Sequence, residues 1–231
     1  MLDQLLGARN AQTGRDGQSG LSLDQLLTGP GGLATGAAAG GLAALLLGGA
    51  KPKKLAKNAL KVGGAALVGG LAYKAWRDWQ ANKTPVTQSQ ATPVTPPSDP
   101  AFLPEGDDQR RLLARSLMRA MIAAAKADGH VTPVEQERIL SQLEVLEINQ
   151  GDRAFIKEEL DSPLDVEAVV RDAATPELAA ELYTASLLAI DPNGDAEKAY
   201  LALLAARLKL DPDLVAHIHA NTENAQTPQA A

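Results

Sequence analysis

Two stretches of this chain place carboxylates around a helix-to-helix turn in the same order. The first reads Ile122-Ala-Ala-Ala-Lys-Ala-Asp128-Gly-His-Val-Thr-Pro-Val-Glu135, and the second Ala185-Ser-Leu-Leu-Ala-Ile-Asp191-Pro-Asn-Gly-Asp195-Ala-Glu197. In each, an Asp closes one helix and a Glu falls in the first turn of the next. The two carboxylates can therefore converge across the turn. With the two turns side by side, Asp128, Glu135, Asp191 and Glu197, joined by Asn193 and Asp195, would form an oxygen-rich cluster suited to a hard divalent cation, Ca²⁺ or Mg²⁺ before Zn²⁺. Helix capping selects the same residue types, since Glu at the third helical position and Asp in a turn complement the exposed N–H groups and the macrodipole. Both readings stand for Glu135 and Glu197. An EF-hand is excluded, because the loop starting at Asp191 has Ala196 where Gly is needed and Ala202 where the bidentate Glu belongs.

The other chemistries have no residues to carry them. There is no Cys, which removes disulfides, thiolate metal sites and a thiol nucleophile. The three histidines, His130, His217 and His219, lack zinc-protease spacing. His217 and His219 would point to different sides of a helix, so they read as surface positions. No Gly-x-Ser-x-Gly elbow, phosphate-binding loop or dinucleotide fingerprint occurs. A non-enzymatic protein is the expectation.

The elements that must hold these carboxylates are helices. Aromatics make up only 3% of the chain, so its core must come from Ala, Leu, Val and Ile, and no segment alternates with period two. After Asp107 the punctuation by Pro, Gly and Asx predicts about seven helices. They fall near 108–127, 132–147, 152–160, 164–173, 176–190, 195–209 and 212–221. Thr132-Pro133-Val134-Glu135 supplies an N-cap, Pro at the first position and a capping-box Glu. The spacing predicts an all-α domain over 107–224.

What precedes it differs in sign and composition. Residues 1–83 carry ten Lys/Arg against four Asp/Glu, and residues 107–224 carry twelve against twenty-two. The acidic part has no basic face to neutralise phosphates, so nucleic acid is not an expected partner. The tail over 1–30 repeats Leu-Asp-Gln-Leu-Leu at Leu2 and Leu23, either a docking peptide or a frayed end. Residues 31–50 are uncharged and Gly/Ala/Leu-rich, with Gly32, Gly36 and Gly40 along one helical face as in close-packed membrane helices, a route to homo-oligomers. Lys51, Lys53 and Lys54 follow, which by the positive-inside rule puts the C-terminal domain in the cytoplasm. Val62 to Tyr73 is too short to span and leads to Trp76 and Trp79, read as a membrane interface belt. Segment 31–80 is thus expected to span the bilayer or to lie at its surface. The Pro/Thr-rich run 81–106 reads as an extended, disordered linker.

The Ala127-Asp-Gly-His-Val-x-x-x-Glu135 segment, the Asp191 to Glu197 turn and the following Tyr200-Leu-x-x-Leu-Ala-x-x-Leu-x-Leu resemble the TerB-like domain of tellurite-resistance proteins. With the Gly/Ala-rich segment before it, the chain resembles the bacterial YebE-like inner-membrane family of unknown function. That resemblance implies an all-α fold, an inner-membrane location and an acidic metal-binding cluster in envelope or metal stress, with Asp128, Glu135, Asp191 and Glu197 as its ligands. The Pro192-Asn193-Gly194 insert departs from the first turn's spacing. Two functions follow as expectations: a membrane-tethered protein that binds a divalent cation, or a metal-free adaptor that docks a protein partner through its helices or N-terminal tail.

Overall fold

The computed structural model describes residues 64–85, 99–127, 129, 131, 149–190 and 194–226. They form seven α-helices: α1 (Gly64–Gln80), α2 (Asp107–Ala125), α3 (Gln150–Asp161), α4 (Val166–Asp172), α5 (Pro176–Ala189), α6 (Asp195–Arg207) and α7 (Pro212–Gln226). No strand occurs among the described residues. The expected all-α architecture is the observed one.

Local chemistry sets the helix boundaries. Asn149, Asp165 and Thr175 each accept a hydrogen bond from a first-turn backbone N–H, at Asp152, Ala168 and Leu178. Pro176 follows its cap at the first helical position of α5, where its missing N–H costs nothing. Two helices stop in the left-handed region without glycine: Asn82 (φ 50°) after α1 and Lys209 (φ 56°) after α6. Paired bonds close both ends, Lys83 N–H to Asp78 O with Asn82 N–H to Trp79 O, and Leu210 N–H to Ala205 O with Lys209 N–H to Ala206 O. These are Schellman stops, which satisfy the last carbonyls.

The bundle is organised around α5, whose residues 179–189 are all buried. It lies mainly on α2 and also touches α1, α7 and α6, while α7 packs on α1, and α3 and α4 pack on α2. Ala114, Ala120, Ala124, Ala180 and Ala185 sit at these contacts, and their short side chains let the helices approach closely. Leu117, Ile122, Leu182 and Leu204 fill the space between.

The boundary read from the sequence is displaced. Segment 31–80 was expected to belong to the membrane and 81–106 to be a free linker, yet Val68, Leu71 and Ala75 of α1 are part of the bundle core. Trp76 and Trp79, expected at lipid headgroups, are partly buried and pack against that core. Phe102, inside the supposed linker, is 1% exposed. Its ring meets Tyr73 edge-on at 5.4 Å and Trp76 at 6.2 Å. The physical reason is common to both settings: an apolar run ending in amphipathic aromatics suits a membrane interface or a protein core equally well. Among the described residues no helix is long and apolar enough to cross a membrane. Gly32, Gly36, Gly40, Lys51, Lys53 and Lys54 lie outside them.

Candidate functional site

Of the four expected cation ligands, Asp128, Glu135 and Asp191 lie outside the described residues. Glu197 is at the third position of α6, and its carboxylate is folded back over the N-cap. A Cβ at Gly194 would come within 1.9 Å of Glu197 Oε2, so any other residue there would make the flexible carboxylate swing aside. Among the described residues, no group of three or more His, Asp or Glu is arranged to hold a metal ion.

Among the described residues, the densest charged arrangement is one the sequence reading did not single out, a seam where α2 faces α3 and α4. Arg115 and Arg119, one helical turn apart, both lie over the Phe155 ring with their guanidinium carbons 5.3 Å from its centroid. Arg115 donates twice to Asp152 Oδ1, at 2.9 and 2.7 Å, and Asn149 Nδ2 donates to Oδ2 at 2.8 Å. Arg119 bridges two helices, through Nε to Glu159 Oε1 at 2.8 Å and through Nη1 to Asp172 Oδ2 at 2.5 Å. Burial alone would lower the Arg119 pKa, but these two carboxylates outweigh it and hold it above the usual value. Two turns further along α2, Lys126 is only 7% exposed and donates to the carbonyl oxygens of Glu159 and Ser162 at the end of α3. A cation there complements the helix dipole. Burial pushes its ammonium below the ordinary lysine range, and Glu159 and Asp161 only partly offset this.

Between these elements lies a cleft of about 360 Å³, at the lower end of small-molecule site volumes. Arg119, Lys126 and Arg171 supply its positive groups, and Ile122, Pro163 and Leu164 part of its apolar wall. The sequence signal was present as Arg115, Arg119 and Lys126 at helical spacing, but it resembles any solvated basic stripe until α3 and α4 are placed over it.

A second polar feature lies between α5 and α7. Tyr183 Oη and His219 Nε2 are 2.8 Å apart, and His217 is buried, so neither histidine is the surface residue expected from the sequence. Burial lowers the His219 pKa against the opposing pull of Glu223, and pushes the Tyr183 phenol up to about 12. On another side of α5, Glu181 is 1% exposed, and neither carboxylate oxygen has a hydrogen-bond partner. Burial holds its pKa well above the ordinary glutamate range. The buried hydroxyls nearby are committed to backbone, Ser186 to Ala120 O and Thr184 to Ala180 O. Neither serves as a base-activated nucleophile.

An Ala/Leu helical bundle stabilised by a charged seam and preceded by a Gly/Ala-rich basic segment is the class of protein this geometry defines. The chain belongs to the DUF533 family, described as "Protein of unknown function", whose model matches residues 32–222. It is also 33% identical over 107 residues to the "Uncharacterized protein in ampR 5'region" of Yersinia enterocolitica, a match covering 46% of this chain and 75% of that protein. No solved structure matches. The family match takes in both the Gly/Ala-rich stretch and the bundle, so the two recur as one unit.

Proposed function

We propose that this chain is a non-enzymatic adaptor that holds a helical bundle against the cytoplasmic face of a bacterial inner membrane and presents it to a protein partner. The observation that carries this reading is the placement of α1. It begins three residues after Lys61, the last of the basic residues that follow the apolar stretch, and its Val68, Leu71 and Ala75 are built into the core. No Pro-rich tether separates the bundle from that basic segment. The Pro/Thr run instead joins α1 to α2 within one bundle, with Phe102 docked at its far end. A bundle so joined would sit at the lipid surface, and the Lys-rich segment favours anionic lipid. The resemblance to YebE-like and TerB-like proteins points the same way, toward an inner-membrane protein of envelope stress.

A second reading, binding of Ca²⁺ or Mg²⁺ at the acidic turns, is favoured by the Glu197 carboxylate folded over Gly194. One pair of measurements on the full chain separates the readings. Flotation with vesicles containing anionic lipid should carry the full chain but not a 64–231 truncation; equal flotation, or none, overturns the membrane reading. Thermal unfolding in chelator and then in Ca²⁺ or Mg²⁺ should be flat for the adaptor. A rise of about 2.7 kcal/mol at hundredfold excess over Kd, lost in Asp191→Asn, supports the cation site instead.

A further inference from the structure

The seam between α2, α3 and α4 leaves hydrogen-bond donors unused at the mouth of the cleft. Arg119 employs Nε and Nη1 on Glu159 and Asp172, and among the described residues no acceptor takes the protons of Nη2. Lys126 has three ammonium protons and two acceptors, both neutral carbonyls, and no carboxylate lies within ion-pairing distance of it among the described residues. The two side chains start seven residues apart, so they share one face of α2 about 10 Å apart along the axis. They then converge on the same residue, since Arg119 reaches the Glu159 side chain and Lys126 its carbonyl. An ammonium this buried, touched only by neutral carbonyls and offset only in part by the more distant carboxylates of Glu159 and Asp161, is an incomplete arrangement by the usual cost of burying charge.

The three carboxylates lining the cleft balance its three cations in number, but each is engaged away from Lys126. Glu159 and Asp172 share the single positive charge of Arg119, and Asp165 caps α4 through Ala168 N–H while facing Arg171 at 3.3 Å. Arg171 is exposed at the rim and Leu164 is 41% exposed beside the opening, giving the entrance one cation and one apolar edge.

We propose that this cleft binds a small organic anion, its phosphate or carboxylate group seated between Lys126 Nζ and Arg119 Nη2 and its hydrocarbon part lying along Ile122, Pro163 and Leu164. The anion supplies the acceptors that the protein does not. This site is independent of the membrane and the acidic turns.

The test is a titration of the ¹⁵N-labelled full chain at constant ionic strength, with inorganic phosphate in one arm, succinate in a second and chloride as control. Saturable shifts confined to amides around 122–126 and 163–171 in either active arm, absent with chloride, are expected, and the arm that saturates first identifies the preferred group. Lys126→Met would loosen α3 as well, so the deciding variant is Leu164→Glu, which places a carboxylate at the exposed rim without touching the core. It should weaken binding about tenfold, equivalent to 1.4 kcal/mol. Shifts identical in chloride, no saturation in either arm, or an unchanged Kd in Leu164→Glu overturns the proposal.

Discussion

Phe102→Ala is the sharpest test of the claim that α1 and the end of the Pro/Thr run belong to the bundle. Phe102 is 1% exposed and lies edge-on to Tyr73 and within 6.2 Å of Trp76. Truncating a buried Phe costs about 3–5 kcal/mol, and edge-to-face pairs are part of that loss. Against a total stability of about 5–15 kcal/mol this is a large fraction. At about 2–4 °C per kcal/mol for a chain of this size, Tm should fall by about 6–20 °C. The assay has a built-in division of labour. The only two tryptophans, Trp76 and Trp79, are both on α1, so their fluorescence follows that helix while far-UV circular dichroism follows all seven. Urea transitions by the two probes should coincide, in the parent and in the variant, because one cooperative unit unfolds once. Leu112→Ala, at a side chain 66% exposed, is the control and should change stability by less than about 0.5 kcal/mol. A loss below about 1 kcal/mol in Phe102→Ala, or fluorescence that melts ahead of dichroism, would refute the inclusion of α1.

Three further outcomes follow from particular residues. Glu181 keeps its proton in the folded state where an unfolded glutamate has lost it, so stability should decline as pH rises above the ordinary value of 4.5; Glu181→Gln should flatten that slope and raise stability at neutral pH, measured by urea unfolding across pH. Asp152→Ala removes the acceptor of Arg115 and of Asn149 Nδ2 while leaving the backbone N–H that Asn149 caps, and because Arg115 is partly solvated the loss should be about 2–3 kcal/mol by the same method. Lys209→Gly relieves a left-handed residue at the end of α6 and should stabilise the protein by about 0.5–1 kcal/mol in a thermal melt.

Much of the fold was legible because its punctuation is explicit. The expected helices at 152–160, 176–190 and 195–209 are α3, α5 and α6 within two residues at each end, set by Asn149, Thr175-Pro176 and the turn before Asp195. The expected helix at 212–221 continues to Gln226, since no Gly or Pro interrupts it. The expected helix at 132–147 lies outside the described residues. The place of α1 was not legible, because periodicity reports that Val68, Leu71 and Ala75 share an apolar face but not what covers it. The candidate cleft was hidden for a related reason: Arg119 and Lys126 belong to one helix, while the groups that give them meaning, Glu159, Asp172 and the end of α3, come from elsewhere in the chain. His217 and His219 misled because the two faces of α7 they occupy are both covered, one residue fully and the other through Tyr183.

Because α1 is gripped by α5 and α7 and Phe102 packs on Tyr73 and Trp76 of α1, both ends of the Pro/Thr run are anchored in the bundle by packing as well as by the chain. A protease cut in the Pro/Thr run should therefore yield two fragments that migrate separately in detergent and as a single particle in native buffer. The smaller fragment, carrying both tryptophans, would behave as a subunit of its own parent chain, and the same position is the natural place to splice in a reporter domain.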